Sequence, residues 1–385
     1  MILNKKDAKH AAQRLMSYFG KHNRIDDYFR ARKVERLQNI PAGLPGMGPE
    51  DDFFQDFNMH PRDMKFKLIP AQDAEFHLLV ELTASFTPDT APGKKLCFFI
   101  KETTTNKIAG FIKFGSPTIH SKARNNWLGE KLDQSDSQVL TRFNQRVIMG
   151  FIIVPVQPFG YNYLGGKLLA ALCCSHRIRE ILNEKYNIQL CAFETSSLYG
   201  SIKGCSMYDG MRPLLCYRGN SESKFFMKFG EEFYVSLKEW FEQRNNGEPL
   251  VDTKTSATNT LGIATGYKMS YQQKIVGVIR ASLKEHDMKA YQEFCDFVKS
   301  TEDLTTKKRI YISDYGFENA KDILLGADEP LRKGMNYDKF EWDTIIEWWR
   351  TKAIKRYETL KAAGKVRHEL EVWNASTLNT IDIIR

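Results

Sequence analysis

A glycine-containing loop follows a buried apolar run near the middle of the chain, in "FIIVPVQPFGYNYLGGKLLAAL". Gly160, Gly165 and Gly166 would let the backbone of the segment Gln157 to Gly166 approach a ligand closely. A long amphipathic stretch follows, and the first N–H groups of a helix lack partners and carry the positive end of its dipole. Such a loop suits a pyrophosphate, and Asn162 can cap the helix. The alternative is that the whole segment is only well-packed core.

A carboxylate ends the next predicted strand. Glu194 closes the apolar run "IQLCAFET", and a partly desolvated carboxylate at a strand end can have a raised pKa and act as a general base. The structural alternative is that Glu194 caps the following helix or pairs with an arginine such as Arg124. The sequence leaves both interpretations open.

A polar segment, "SKARNNWLGEKLDQSDSQ", precedes the glycine loop and is long enough to be functional. Arg124, Asn126 and Trp127 combine cationic, amide and aromatic groups, which suit phosphate contact and base stacking. The segment could equally be a surface loop fixed by one tryptophan.

The basic residues form two clusters, and the formal net charge of the chain is +9. Residues 1–36 hold ten lysines and arginines against four acidic residues, and residues 350–368 hold seven against one. Two such clusters can join into one surface that attracts a phosphate backbone, so we predict a nucleic-acid partner; the alternative is two solvated helix faces. The predicted contacts are Arg30, Arg32, Lys33, Lys352, Lys355 and Arg356.

The seven cysteines are scattered and include no CxxC pair. This pattern predicts free thiols in a reducing compartment and no metal site. We interpret Cys205 as a core residue, because no histidine lies near it in the sequence. The N-terminus shows no apolar signal region, and no run of about 18 apolar residues predicts a membrane span. We therefore expect a cytoplasmic protein without a membrane partner.

The elements that would position these residues follow in the order hairpin, strand, helix, strand, short helix, strand. The hairpin is predicted over Lys94 to Gly115, the strand before the loop over 147–156 and the helix after it over 163–185. This order predicts an α/β fold with helices on a central mixed sheet. The predicted domains are a basic helical arm with a linker (1–60), the α/β domain (61–225) and a mostly helical C-terminal region (226–385).

Three segments carry a resemblance to the GNAT acyltransferase superfamily: "ETTTNKIAGFIKFG", "GFIIVPVQPFGYNYLGGKLLAAL" and "LCAFETSSLYGSIKGCSMYDGM". More narrowly, "IVPVQPFGYNYLGGKLLA", "YNIQLCAFETSSLYG" and "YDGMRPLLCYRG" resemble the DruA-type domain of bacterial defence systems. The chain is also similar to the Mom type of phage DNA-modifying protein. These resemblances cover roughly residues 86–219, about a third of the chain.

The resemblance implies a GNAT-like central sheet and an acyl-CoA whose pyrophosphate is held by the backbone of Gln157 to Gly166. Gln157 and Gly160 match the family loop, Gln/Arg-x-x-Gly-x-Gly/Ala, whereas Asn162 stands where its second small residue belongs. Family members often use a tyrosine to protonate the leaving thiolate. Tyr208 resembles that residue, and Tyr199 is a second candidate. A location in the bacterial host cell is implied as well.

Two functions follow from these observations. The first is a GNAT-like transferase in which an amine of a nucleic acid or nucleotide attacks an acyl-CoA thioester, with Glu194 as base and Tyr208 as acid. The second is a non-enzymatic module of a phage or a defence system that binds nucleic acid or a protein, and the departure at Asn162 favours it. The sequence does not indicate an oligomeric state.

Overall fold

The computed structural model describes residues 1–38, 48–88, 93–198, 200, 203–224, 227–251, 265–303 and 307–383. The chain divides into two compact units, each with its own internal contacts. The helical unit contains Met1–Glu35 and Lys224–Thr306, and the α/β unit contains Arg36–Pro88, Gly93–Ser223 and Lys307–Arg385. The domain boundaries near residues 60 and 225 rest on sequence patterns alone and stay a prediction.

The helices within the described residues are α1 (Lys5–Phe19), α2 (Ile25–Gln38), α3 (Pro49–Asp52), α4 (Asp73–Glu81), α5 (Lys122–Leu128), α6 (Ser137–Arg146), α7 (Phe159–Tyr163), α8 (Gly165–Cys173), α9 (His176–Tyr186), α10 (Glu231–Gln243), α11 (Thr265–His286), α12 (Met288–Asp303), α13 (Ala320–Leu325) and α14 (Trp342–Ala362). The strands are β1 (Phe66–Pro70), β2 (Lys95–Glu102), β3 (Ile108–Gly115), β4 (Val147–Pro155), β5 (Ala192–Ser197), β6 (Cys216–Lys224) and β7 (Lys307–Ser313).

The helical unit packs α1 against α11 and α12. Helix α1 begins after Asn4, whose side-chain oxygen accepts the Asp7 N–H at 2.9 Å and caps the helix. Ala8, Ala11 and Leu15 lie three or four positions apart and are buried, so they form the apolar stripe by which α1 packs.

The α/β unit is built on one mixed sheet with the order β1-β2-β3-β4-β5-β7-β6. The pairs β1–β2, β2–β3, β3–β4 and β5–β7 are antiparallel, whereas β4 and β5 are parallel. Helices flank the sheet, and helical segments precede and follow it. This architecture confirms the predicted α/β class with a central mixed sheet and helical N- and C-terminal regions.

The parallel pair separates halfway along its strands. Val147–Gly150 of β4 pair with Ala192–Thr195 of β5. Beyond this register β4 continues along β3 to Pro155, and β5 continues along β7 to Ser197. The glycine loop therefore begins at the end of a strand that has already parted from its parallel neighbour.

The predicted helix over 163–185 is wrong in one respect, because it is interrupted. Leu164 has a left-handed backbone (φ 55°), so α7 ends there and α8 begins at Gly165. The Ser175 side chain then accepts the Ile178 N–H and caps the start of α9. The predicted mostly helical C-terminal region also supplies β7, which lies between β5 and β6.

In the part of the chain that the structure describes, no helix combines the length and the apolar character needed to cross a membrane.

Candidate ligand-binding pocket at the 157–166 loop

The α/β unit contains a half-open pocket of about 750 Å³ at the glycine loop. Gln157, Gly160 and Gly166 line it together with Lys167, the second residue after Gly165. Lys203 and Met207 enter from the β5–β6 connection, and residues of the stretches 367–371 and 377–382 form the remaining wall. The loop that the sequence predicts to hold a cofactor therefore does border a cavity.

The start of α8 is shaped by the packing of Gly165. A Cβ atom on Gly165 would lie 2.5 Å from the ring of Phe159, which is fully buried. Glycine at this position lets α8 begin directly against α7. The first N–H groups of α8 precede any acceptor within the helix, and Gly166, whose N–H is one of them, lines the pocket. Gly165 is thus explained by packing, whereas Gly166 lies at the cavity.

Asn162 holds the C-terminal part of the chain and does not line the pocket. Its side chain is fully buried. The amide Nδ2 donates to the carbonyl oxygen of Arg367 at 2.7 Å, and the Arg367 N–H donates to Oδ1 at 3.1 Å. The side chain that departs from the family loop pattern is therefore occupied away from the space that a ligand would use.

Gln157 organises the loop on its other side. Its Oε1 accepts the Tyr161 N–H at 3.2 Å, and its carbonyl oxygen accepts the Glu371 N–H at 3.0 Å. The sequence pattern suggested Gln157 as a ligand contact. In the structure Gln157 lines the pocket and also supports the loop.

Basic side chains surround the loop. Lys167 donates from Nζ to the carbonyl oxygen of Asp209. Burial lowers the pKa of Lys167, and the nearby charge of Lys352 lowers it further. An anion bound beside Lys167 would reduce the repulsion between these two like charges.

Helix α14 brings two of the predicted nucleic-acid contacts to this loop. The first is Arg356, whose guanidinium lies 4.8 Å from the centre of the Tyr161 ring. The second is Lys352, which lies one turn before Arg356 and whose positive charge lowers the pKa of Lys167. Arg367, which follows α14, also lies against the Tyr161 ring, with its guanidinium 4.0 Å from the ring centre. The C-terminal basic cluster and the predicted cofactor loop are therefore neighbours.

Acidic side chains line the other side of the pocket. Glu369, Glu371 and Asp382 belong to the C-terminal stretch, and Glu371 forms an ion pair with Arg367 at 2.7 Å. The cavity therefore has a basic side, formed by the start of α8 and Lys203, and an acidic side.

Glu194 forms a buried ion pair with Arg124. Arg124 Nε donates to Glu194 Oε1, and Nη2 donates to Oε2 at 2.8 Å. The two side chains are 1% and 6% exposed. Arg124 also donates to the carbonyl oxygens of Thr118 and Ile119 at 2.8 Å each. The structure thus shows Glu194 paired with Arg124, as the structural alternative predicts. The role of Glu194 as a general base stays a prediction.

Tyr208 is buried on a different face of the sheet. Its ring packs edge-on against Tyr311 with a centroid distance of 5.3 Å, and burial raises its pKa. Its hydroxyl interacts with Thr195. Because Thr195 follows Glu194 in β5, their side chains point to opposite faces. The structure does not bring Glu194 and Tyr208 together, and Tyr199 lies outside the described residues.

The sequence did not indicate one polar cluster beside Tyr208. Tyr311 donates its hydroxyl to Asp209 Oδ1 at 2.7 Å, and Arg309 Nη2 donates to the same oxygen at 3.0 Å. Burial is the largest effect that raises the pKa of Tyr311 to about 12. About a hundred residues separate Asp209 from its partners, so spacing alone gave no signal.

The predicted nucleic-acid contacts differ in exposure and position. Arg30, Arg32 and Lys33 belong to the helical unit, and the others belong to the α/β unit, so their union into one surface stays a prediction. Trp127 is buried, with the cations of Arg218 and Lys321 at 5.6 and 5.8 Å from its ring. The buried residues are Lys33, Arg124 and Trp127, the half-buried ones Arg30, Arg32, Lys352 and Arg356, and the exposed ones Asn126 and Lys355.

The structure also places the thiols and the other metal-ligating residue types. Over the described ranges, no three His, Cys, Asp or Glu residues are grouped so that they could hold a metal ion. The interpretation of Cys205 as core is wrong, because this thiol is exposed. It follows Gly204, which has a left-handed backbone and lies in a bend. The buried thiols are Cys97, Cys173, Cys174 and Cys191.

Comparison with known proteins gives one family. Residues 57–221 match the family described as Druantia protein DruA. The match covers β1 to β5, the glycine loop and Tyr208, and amounts to less than half of the chain. It supports an association with a defence system, while the relations to the GNAT superfamily and to Mom-type proteins stay predictions. No curated protein matches the chain. No solved structure matches it either.

Proposed function

We propose that the chain is a component of an antiphage defence system and that its α/β unit binds a diphosphate-bearing ligand in the pocket at the 157–166 loop. The DruA match supports the first part, and the matched residues include the whole loop. One observation carries the second part: the start of α8, Lys167 and Lys203 border the same cavity.

The chemistry of the basic side fits a diphosphate better than a neutral ligand. Backbone N–H groups at a helix start and the positive end of its dipole favour an anion. The proximity of Lys167 to Lys352 adds an unfavourable repulsion that a bound anion would offset. A volume of about 750 Å³ is large enough for a nucleotide-type cofactor. The family resemblance names acyl-CoA as that cofactor.

The finer form of the proposal is acyl transfer to an amine of a nucleic acid. The amine nitrogen would attack the thioester carbonyl, a C–N bond would form and the C–S bond would break. The attacking nitrogen would lose a proton to Glu194, the predicted base, and the thiolate would leave with a proton. Tyr208 is the predicted donor of that proton. Lys352 and Arg356 support a polyanionic acceptor, because they lie beside the loop.

A specific observation favours the second candidate, a binding module without chemistry. Glu194 already accepts two guanidinium N–H donors and lies on the face opposite Tyr208. A carboxylate held in this way is poorly placed to take a proton from an amine next to Tyr208. In this alternative the pocket binds its ligand as a signal or a structural cofactor. Asn162 does not add support to this alternative, because its side chain is bound to the Arg367 backbone and does not line the pocket.

Calorimetric titration of the full chain with CoA and with inorganic pyrophosphate tests the pocket. We expect both to bind, and we expect Lys167→Ala to weaken CoA binding about tenfold or more, since a charge-assisted contact contributes about 1.5–3 kcal/mol. Lys131→Ala is the matched control, because Lys131 is exposed and does not line the pocket. Equal affinity of the wild type and Lys167→Ala would contradict the proposal.

Mass spectrometry of nucleosides separates the two candidates. Cells that express the wild-type chain should contain an acylated nucleoside if the chain is a transferase, and Tyr208→Phe should reduce its amount. CoA binding together with unmodified nucleosides would leave the binding module.

A further inference from the structure

The segment after α14 runs back across the glycine loop and forms one wall of the pocket. Residues 366–383, here called the C-terminal clasp, are bound at several points by backbone hydrogen bonds. Arg367 is held by Asn162 through two bonds, the Glu371 N–H donates to the Gln157 carbonyl at 3.0 Å, and the Trp373 N–H donates to the Leu82 carbonyl at 2.8 Å.

About half of the residues that line the pocket belong to the clasp, in the stretches 367–371 and 377–382. The cavity beneath it retains about 750 Å³. The clasp therefore encloses the space without filling it. Its basic residue Arg367 and its acidic residues would both face a ligand held at the start of α8.

The early part of the clasp is less buried than its later part. It lies outside the named helices and strands, and Arg367, His368 and Glu369 are exposed. Trp373 and Ile383 are buried and anchor its later part. Segments with few buried contacts open at lower free energy than core strands do. The first part of the clasp, next to Asn162, is therefore the part that can be released.

We propose that the C-terminal clasp closes over the ligand in this pocket, with Asn162 as its latch. A ligand that touches both the start of α8 and the clasp binds the closed state better than the open one, and so shifts the population toward closure. Asn162 is buried, and its side chain makes both of its described hydrogen bonds to the Arg367 backbone. The chemical nature of the ligand rests on the proposed function, whereas the latch itself does not.

Tryptic cleavage after Arg367 reports whether the clasp is closed. No lysine or arginine lies between Arg367 and Arg385, so this cleavage releases the rest of the clasp as one peptide. We expect Asn162→Ala in the full chain to be cleaved there about tenfold faster than the wild type, since two buried hydrogen bonds are lost. The control is Asn220→Ala, which removes an exposed asparagine that accepts from the Tyr217 hydroxyl.

Saturating CoA should slow this cleavage in the wild type about tenfold and should slow it less in Asn162→Ala. Equal cleavage of Asn162→Ala and the wild type would overturn the latch. Calorimetric binding of CoA with an unchanged cleavage rate would overturn closure over the ligand and leave the proposed function intact. If neither CoA nor pyrophosphate binds, the ligand binding of the proposed function is contradicted. The cleavage rate of Asn162→Ala alone then tests whether Asn162 holds the clasp.

A second variant covers the case in which Asn162→Ala does not fold. Glu371→Pro removes from the half-buried clasp the N–H that donates to the Gln157 carbonyl, together with the ion pair between Glu371 and Arg367, and leaves the sequence of the loop unchanged. Faster release of the peptide after Arg367 is the expected result, and an unchanged rate would count against the clasp.

Discussion

The buried pair of Arg124 and Glu194 gives a prediction that separates a structural carboxylate from a catalytic one. Removing one partner of a buried ion pair costs about 3–5 kcal/mol, because the other charge stays buried without compensation. Glu194→Ala should therefore lower the free energy of unfolding by about that amount. Arg124→Ala should cost about 1–3 kcal/mol more, since the carbonyls of Thr118 and Ile119 lose their donor as well.

The double variant completes the thermodynamic cycle. With both charges gone, no unpaired charge remains, so Arg124→Ala/Glu194→Ala should be more stable than Arg124→Ala alone. The coupling free energy would then be at least as large as the effect of Glu194→Ala. Residues in contact within one hydrogen-bonded network commonly behave in this way.

Urea unfolding followed by tryptophan fluorescence is a suitable assay, because five of the six tryptophans belong to the α/β unit. Trp240→Phe, made in every background, would remove the signal of the helical unit. A Glu194→Ala variant within about 0.5 kcal/mol of the wild type would refute the structural role. Strictly additive effects of the two single substitutions would refute it as well.

Three further predictions concern charge and exposure. Lys352→Ala should raise the pKa of the Lys167 ammonium, measured by NMR, and CoA should therefore bind up to a higher pH. An unchanged pKa of Lys167 would contradict the repulsion between the two lysines. Burial raises the pKa of Asp209, but hydrogen bonds from Ser206 and Tyr311 and the charge of Arg309 outweigh it and leave the pKa low. Asp209 therefore stabilises the fold above its unfolded pKa, near 3.8, and this contribution disappears as the pH falls through the folded value. Asp209→Asn should reduce the loss of the melting temperature that the wild type shows in this acidic range. An equal loss in the variant and the wild type would contradict this role. Cys205 should react with maleimide before Cys97, whose pKa burial raises to about 11, and the reverse order by mass spectrometry would contradict the exposure seen here.

The sequence was informative where local pattern decides structure. Two β-branched and aromatic runs around a polar turn predict β2 and β3, and the apolar run before the loop predicts β4 to within a residue. The same loop proved to border the pocket. These features depend on neighbours within about ten residues, which periodicity can detect.

The sequence was silent where contacts join distant residues. Asn162 and Arg367 are 205 positions apart, so nothing in the loop indicated that Asn162 binds the chain's end. The break at Leu164 was missed because leucine rarely adopts a left-handed backbone. Glu194 and Tyr208 looked like a catalytic pair by order along the chain, but the alternation of side chains in β5 separates them.

A crystal structure of the full chain with CoA tests the central claim most directly. We predict the diphosphate at the start of α8, within about 2.7–3.2 Å of the Gly166 N–H and next to Lys167 Nζ. Bound CoA whose diphosphate lies elsewhere on the α/β unit or on the helical unit would contradict the assignment of this pocket.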